Sequence, residues 1–334
     1  MNGVLVTGGA GYIGSHVVQQ LVERGERVVV IDNLSSGFPE AVHDAELVVG
    51  NVGDRALVSR VLAHHKVDSV LHFAAHTVVP ESVTDPVKYY GNNTCNTCNL
   101  LAASTEAGVK HFIFSSTAAV YGLTEGGVAD EDTPTSPINP YGMSKLMSEN
   151  MLRDVSAASD LRHVILRYFN VAGCDPSGRI GHSAPHATLL IKVACEHAVG
   201  KCDSLCIYGT DYNTPDGTGI RDYIHVEDLA TAHLSALDHL RHGGSSLTLN
   251  CGYGHGYSVR EVIDAVTRVS GRHLNVIERP RRTGDLAMLI ARSKRLQDVL
   301  DWHPRYDDLD FIVRTAFLWE QKMVQRAAHV ARVA

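Results

Sequence analysis

No uninterrupted apolar run in this 334-residue chain reaches the roughly 18 residues needed to cross a bilayer. Met1 leads directly into Val4-Leu5-Val6 without the charged segment and apolar core of an export signal, so the chain reads as soluble and cytoplasmic. Basic residues are in deficit, 30 Lys and Arg against 37 Asp and Glu, for a formal net charge of −7. A nucleic-acid partner is disfavoured, because phosphate binding needs a concentrated basic face that no segment supplies. Cysteine is too sparse and scattered for a secreted disulfide framework: there are seven, an odd number. Cys95 and Cys98 form the only CxxC, in a helical stretch after Asn92-Asn93 and without a second ligand pair, so they are expected to be buried structural thiols. Histidines are plentiful at 19, but His64 with His65, His182 with His186, and His239 with His242 lack the carboxylates or thiolates of a metal site. No metal is expected. Internal repeats, low-complexity tracts and flexible linkers are missing too, so the two halves should pack together.

What is present is an ordinary globular balance, 44% apolar and 20% charged, enough for a large core without staples. Short β-branched runs at Val4–Val6, Val28–Ile31, Leu47–Val49, Val70–Phe73 and Phe112–Phe114 alternate with amphipathic stretches. Helices are predicted at Ile13–Arg24, Arg55–His64, Ser82–Ala107 and Tyr141–Ser156, with Gly25 and Gly108 as terminators. This alternation predicts an α/β fold, a Rossmann-type doubly wound parallel sheet. Beyond a strand at His163–Arg167 the pattern loosens, with Gly, Pro and Asp clusters at Gly173–Ser183 and Asp211–Gly219 that read as loops. A strand at Leu247–Asn250 and helices at Val226–Leu240 and Val259–Val269 follow.

Gly8, Gly11 and Gly14 sit in Val6-Thr7-Gly8-Gly9-Ala10-Gly11-Tyr12-Ile13-Gly14, a TGxxGxxG between the first strand and the first helix. Glycine permits a tight turn and close approach of backbone amides to a pyrophosphate, and the helix N-terminus favours its charge. An ordinary glycine-rich turn is the alternative. Asp32 ends the second strand where a carboxylate can bind adenosine ribose hydroxyls; its alternative is a turn cap. Together the two features point to a dinucleotide. The carboxylate repels a 2′-phosphate and Asn33-Leu34 brings no arginine to rescue one, so NAD is favoured over NADP.

Tyr141-Gly142-Met143-Ser144-Lys145 has a YxxxK spacing, which places a phenol and an ammonium on one helical face a turn apart. An unperturbed tyrosine of pKa about 10 is roughly 0.1% ionised at pH 7, so supplying tyrosinate costs about 4 kcal/mol. Lys145 and a cationic nicotinamide can remove much of that cost. Ser115-Ser116-Thr117 ends a strand one segment earlier, where the Thr117 hydroxyl can meet a substrate and pass a proton to Tyr141; a merely polar strand end is the alternative.

The motifs TGGAGYIGSH, DNLSSG, HFAA, FSSTAAVYG, NPYGMSK, RYFN, DGTGIRDYIHVEDLA and RRTGDL run through nearly the whole chain, which resembles the UDP-glucose 4-epimerase family of extended short-chain dehydrogenases/reductases. The resemblance implies an NAD-binding domain at 1–170 and a smaller α/β substrate domain at 171–334, with some segments returning to the first sheet. It implies tightly held NAD, a UDP-glucose or UDP-galactose substrate and a homodimer. By similarity the cofactor would meet Gly8, Gly11, Tyr12, Ile13, Gly14, Asp32, Asn33, Ser36, Asn51, Val52, Phe73, Ala74, Ala75, Asn93, Ser115, Tyr141, Lys145 and Tyr168. Tyr141, assisted by Thr117 and Lys145, would take the proton from the sugar 4-hydroxyl. Arg221 and Arg282 would clamp the diphosphate, with Asn170 beside it, Tyr208 on the uracil and Asp285 on the ribose. The alternatives are an Arg221–Asp222 ion pair, a core Tyr208, a turn-forming Asn170 and a surface-capping Asp285.

Several positions depart from the family pattern. Asn51 replaces an adenine-contacting aspartate and loses charge assistance; Thr77 replaces a lysine near the cofactor; Leu189 stands where Asn or His touches the UDP-sugar. Asn93 matches an asparagine on the nicotinamide side. Leu289 aligns with a pocket-wall residue that is tyrosine in some relatives, and leucine leaves room for UDP-N-acetylglucosamine and UDP-N-acetylgalactosamine. A 4,6-dehydratase is disfavoured because Ala118 and Ala119, which follow Thr117, cannot transfer protons. Presence of Thr117, Tyr141 and Lys145 disfavours a non-catalytic NAD-binding scaffold.

Overall fold

A computed structural model describes residues 3–184, 188–282 and 284–333; His186 lies outside them. The first half runs β1 (Gly3–Thr7), α1 (Tyr12–Glu23), β2 (Arg27–Asp32), β3 (Glu46–Val49), α2 (Arg55–His65), β4 (Val67–His72), α3 (Val79–Thr84), α4 (Pro86–Tyr89), α5 (Asn96–Glu106), β5 (His111–Thr117), β6 (Val128–Ala129), α6 (Pro140–Ala157) and β7 (Arg162–Tyr168). The second half adds β8 (Asn170–Ala172), α7 (Leu190–Ala198), β9 (Leu205–Tyr208), β10 (Ile220–Arg221), β11 (Tyr223–His225), α8 (Val226–Arg241), β12 (Leu247–Cys251), β13 (Tyr257–Ser258), α9 (Val259–Ser270), β14 (Val276–Arg279), β15 (Met288–Ala291), α10 (Lys294–Leu300) and α11 (Leu309–Val333).

Seven strands form one sheet in the order β3-β2-β1-β4-β5-β7-β12, every neighbouring pair parallel. Parallel strands are covered on both faces, which is why they are near-continuous apolar runs. Side-chain alternation sorts them into two cores. Val4, Val6, Val30, Leu71, Ile113 and Leu166 meet Val17, Val18 and Leu21 of α1 and Leu229 and Leu237 of α8 on one face. Leu5, Val29, Ile31, Val70, Phe112 and Ile165 meet Val58 and Leu62 of α2, Leu100 of α5 and Leu152 of α6 on the other. The doubly wound parallel sheet is therefore the architecture, and β12 and α8 return to it from the second half.

One expected helix is broken. Instead of a continuous Ser82–Ala107 there are α3, α4, a π-helical turn at Tyr90–Cys95 and then α5. Asp85, at φ −136° and ψ 71°, precedes Pro86, whose ring disfavours the α conformation in the residue before it. The Asp85 carboxylate then caps α4 by accepting from the Lys88 amide at 3.2 Å. The expectation for Cys95 and Cys98 also fails: both are exposed. Asn93, Thr97, Leu100, Leu101 and Ser104 take the inward stripe, which turns the intervening thiols outward.

The remaining strands make a four-stranded sheet in the order β13-β10-β15-β6 and two parallel pairs, β8 with β11 and β9 with β14. α7, α9 and α11 close a third core around Ile191, Val262, Val266, Ile312 and Val313. A reciprocal Ser258–Glu261 capping box starts α9, and left-handed Gly271 ends it. The described parts of Gly173–Ser183 and Asp211–Gly219 contain no helix or strand. No described helix is long and apolar enough to cross a membrane.

Candidate active site

Thr7, Asp32, His72, Thr117 and Tyr168 all end strands at the carboxyl edge of the large sheet. Strand order reverses between β1 and β4, which opens a crevice above that edge. Gly8 turns the chain at φ +71°, and a Cβ there would lie 2.6 Å from the Ala74 nitrogen; a Cβ on Gly14 would lie 2.2 Å from the Gly8 carbonyl oxygen. Only glycine lets the loop pass between the β4 loop and α1. Gly11 caps α1 with no side-chain acceptor, leaving the amides of Tyr12 and Ile13 aimed at the crevice. The buried Asp32 carboxylate accepts from Ala10 N at 3.0 Å and Leu34 N at 2.8 Å, so it is tied to the glycine loop and does cap its own turn. Its remaining lone pairs stay free for hydroxyl donors.

Other residues around the crevice differ in what they offer. Asn33 and Ser36 are exposed, and Asn33 Oδ1 accepts from Ser35 N at 3.0 Å. Asn51 is exposed and its Oδ1 accepts from Gly53 N at 2.7 Å, while Val52 is buried. Phe73, Ala74 and Ala75 are half-buried after β4, and Phe73 packs on the His233 ring at 4.8 Å. Tyr12 reaches away from its own helix, donating its hydroxyl to Gly173 O at 2.7 Å.

Asn139 accepts from Gly142 N at 2.8 Å to cap α6, with Pro140 in the first turn. Tyr141 and Lys145 lie buried on one stripe of that helix. The Thr117 side chain lies against the Tyr141 phenol. Burial pushes that phenol up, Tyr168 adds to the effect, and the Thr117 hydroxyl opposes it. Burial pulls the Lys145 ammonium down to about 7, and the negative charge of Glu149 raises it. Lys145 Nζ donates to Ser115 O at 2.9 Å and lies 4.9 Å over the Phe114 ring. Asn93 is buried with its amide closed inside the protein: Oδ1 accepts from His76 N at 2.8 Å, and Nδ2 donates to His76 O and Ser144 Oγ, each at 3.0 Å. It ties the π-helical turn to α6.

The second half brings four distant residues together. Arg282 stacks on Tyr208 with 4.8 Å to the ring centroid and pairs with Asp285 at 2.8 Å. Arg221, half-buried on β10, is pulled down by burial, with Asp285 raising it and Arg282 lowering it. No Arg221–Asp222 pair forms; the Asp222 carboxylate instead accepts from Tyr253 N, Gly254 N and Ala291 N. Tyr208 is 40% exposed, so its ring is not in the core. Leu289 registers against Arg221 and packs with Ala118, Val120 and Phe169. Asn170 is half-buried, its backbone N donating to Asp222 O at 3.0 Å, and Leu189 caps α7 without a side-chain hydrogen bond. Thr77 is exposed.

Three residues beside the site were not singled out from the sequence. His72 bridges Thr7 Oγ1 at 2.6 Å and Thr97 Oγ1 at 2.8 Å. His233, from α8, faces Ser115 Oγ at 3.4 Å, while Ser115 donates to the Tyr168 hydroxyl at 3.1 Å. Glu149 is fully buried; its position four residues after Lys145 was the available signal.

Comparison with known proteins agrees with this geometry. The model of the NAD dependent epimerase/dehydratase family matches residues 4–252. UDP-glucose 4-epimerase of Azospirillum brasilense is 56% identical over 323 residues, covering 96% of this chain and 93% of that protein. The crystal structure of UDP-glucose 4-epimerase from Brucella ovis in complex with NAD is 45% identical, covers 95% of this chain and 98% of its own, and superposes with a TM-score of 0.93. The UDP-Glc/GlcNAc 4-epimerase from Campylobacter jejuni is 47% identical, covers 96% and 100%, and has a TM-score of 0.85. With the glycine loop, the strand-end aspartate and the tyrosine–lysine stripe all on one crevice edge, the chain belongs to the NAD dependent epimerase/dehydratase family.

Proposed function

We propose that this chain interconverts UDP-galactose and UDP-glucose by inverting C4 of the hexose through a 4-keto intermediate. The observation that carries the reading is one constellation: Tyr141 with the Thr117 side chain against it and one turn from Lys145, at the strand edge where the α1 amides and Asp32 converge. The uncapped α1 amides, the glycine cradle that a Cβ would fill and the strand-end Asp32 carboxylate fit a dinucleotide without a 2′-phosphate. NAD, when bound, supplies reversible hydride exchange at C4. Asp32 would hold the ribose hydroxyls, Tyr12 and Ile13 amides the pyrophosphate, and Phe73 to Ala75, Ser115 and Tyr168 the nicotinamide side.

Tyr141 takes the proton of the 4-hydroxyl and later returns it, with Thr117 relaying. Lys145 lowers the cost of the phenolate by its charge. Arg221 and Arg282 grip the diphosphate, Tyr208 offers its exposed ring to uracil, and Asp285 accepts from the ribose. Leu189 and the apolar Leu289 wall give the hexose few fixed hydrogen bonds, which suits a sugar that must present both faces. Residues 1–170, with α8 and β12, would form the cofactor domain and most of 171–334 the substrate domain. Seven free cysteines suit a cytoplasmic location. Val83, Val87 and Met147, exposed on α3, α4 and α6, are apolar surface suited to a homodimer, which sedimentation would register as twice the chain mass.

Purified protein mixed with UDP-galactose, and no added NAD, should yield UDP-glucose, and the same mixture should arise from UDP-glucose. Tyr141→Phe should lower the rate at least about a hundredfold while UDP still binds. Solvent hydrogen at C4 of the product, or no conversion even with NAD supplied, would overturn the reading. UDP-N-acetylglucosamine should turn over measurably in the same assay; no conversion at high enzyme concentration would remove that part.

A further inference from the structure

We propose that Glu149 is a positioning residue for the reaction: its buried carboxylate locks α6 against the end of β5 and supplies the negative field in which Tyr141 and Lys145 hold their protons. The inference rests on the assignment of Tyr141 and Lys145 above.

Tyr141, Lys145 and Glu149 stand at i, i+4 and i+8, three successive turns of one helical stripe. Three consecutive residues of β5 bind them in turn. The Thr117 side chain lies against Tyr141, Ser115 O accepts from Lys145 Nζ, and Ser116 Oγ donates to Glu149 Oε1 at 2.6 Å. A slip of α6 along the strand would break all three. Glu149 is the strongest of these anchors. Oε1 also accepts from Arg167 Nε at 2.9 Å, and Oε2 accepts from Arg167 Nη2 at 2.6 Å and Arg153 Nη2 at 2.8 Å. Arg167 extends the grip through Tyr121, whose hydroxyl donates to Asn250 Oδ1 at 2.6 Å on β12. A carboxylate at 0% exposure is stable only with partners of this quality.

Stability alone would not require this carboxylate to stand one turn from the catalytic ammonium. The groups facing Lys145 are Glu149 on α6, the Ser115 carbonyl and Phe114 ring on β5, and His72 on β4; Tyr141 shares its helical stripe, Arg167 on β7 stands behind Glu149, and Tyr168 on β7 and His233 on α8 stand behind Ser115. His72 and His233 are both lowered by burial, to about 3 and about 4, and are neutral at pH 7. Glu149 alone among the groups acting on Lys145 opposes the burial penalty. Removing its charge weakens proton binding at Lys145, and by the same sign at Tyr141. Base catalysis needs Tyr141 without its proton and Lys145 with its own, so both limbs of a bell-shaped pH profile should move to lower pH.

In Glu149→Gln holoenzyme the alkaline limb of the kcat profile, set by Lys145, should fall by about one pH unit, a roughly tenfold loss of proton affinity, and the acid limb, set by the more distant Tyr141, by less, with KM for UDP-galactose little changed. Glu149→Asp should bring the limbs back towards wild type. Because Glu149→Gln leaves Arg167 buried without its partner, Glu149→Leu/Arg167→Met is the second variant; it removes both charges together and should show a smaller shift in the same direction. Nitrogen-15 NMR titration of Lys145 Nζ in the holoenzyme without substrate gives a readout independent of turnover, and its midpoint should fall in Glu149→Gln. Folded variants with wild-type limbs and a wild-type Nζ midpoint would overturn the proposal. So would failure of both variants to fold, which would assign Glu149 to stability alone. If wild-type protein does not convert UDP-galactose while the Nζ midpoint still moves, the substrate assignment fails and only the hold of Glu149 on the Lys145 proton stands.

Discussion

Thr117 carries the hydroxyl proposed as the proton relay. It is almost buried at 8% exposure, lies against the Tyr141 phenol and accepts from Ala119 N at 3.1 Å. Thr117→Val keeps the shape and deletes the relay, so kcat should fall about 10- to 100-fold with KM nearly constant, and Thr117→Ser should restore most of it. An unchanged kcat in Thr117→Val would remove Thr117 from the proton path. At this scale the sequence was legible wherever function depends on neighbours along one element. Tyr141 and Lys145 share a helix stripe because four residues make nearly one turn. Cys95 and Cys98 misled because their burial depended on which side Asn93 and Thr97 turned.

Among the elements, the β1–α1 junction leaves little room for change. A Cβ on Gly14 would meet the Gly8 carbonyl oxygen at 2.2 Å, and backbone, unlike a flexible side chain, cannot swing aside. Gly14→Ala should push α1 off the loop, cost about 2 kcal/mol or more, and reduce the nucleotide retained through purification. Urea midpoints and the absorbance of nucleotide released on denaturation measure both effects; a variant as stable and as loaded as wild type would contradict the argument. The break between α3 and α4 teaches a related lesson. Pro86 announces a boundary locally, yet the amphipathic pattern continues across it and reads as one helix. The π-helical turn has no local signature, since its inward Asn93 is held by His76 and Ser144 from other elements.

For the whole molecule the buried histidines set the response to acid. His16, His72, His163, His225 and His233 are all buried, and burial lowers each to about 3 or 4. Below the usual histidine pKa the unfolded chain binds protons that the folded one refuses, so stability rises with pH between about 4 and 6.5. Each group contributes about 1.4 kcal/mol per pH unit across that window. Glu227, raised to about 7 by burial, and Asp222 and Asp228, also raised by burial, work in the opposite direction but are three groups against these five. Urea denaturation at pH 7 and pH 5 should therefore show a loss of several kcal/mol on acidification, with protons taken up on unfolding. Equal stability at the two pH values would mean that the histidines are not held neutral.

By itself the sequence determined the doubly wound sheet, the glycine loop, the strand-end carboxylate and the tyrosine–lysine stripe. Those features follow from periodicity and from spacings within a turn or a single strand, where covalent connection keeps the residues together. Tertiary structure decided what depends on segments far apart in the chain: the meeting of Tyr208 and Arg221 with Arg282 and Asp285, the inward face of the broken helix, and the seat of Glu149 between β5 and β7. Burial and partner charges, which set the proton affinities of Lys145 and Glu227, exist only once the layers have closed.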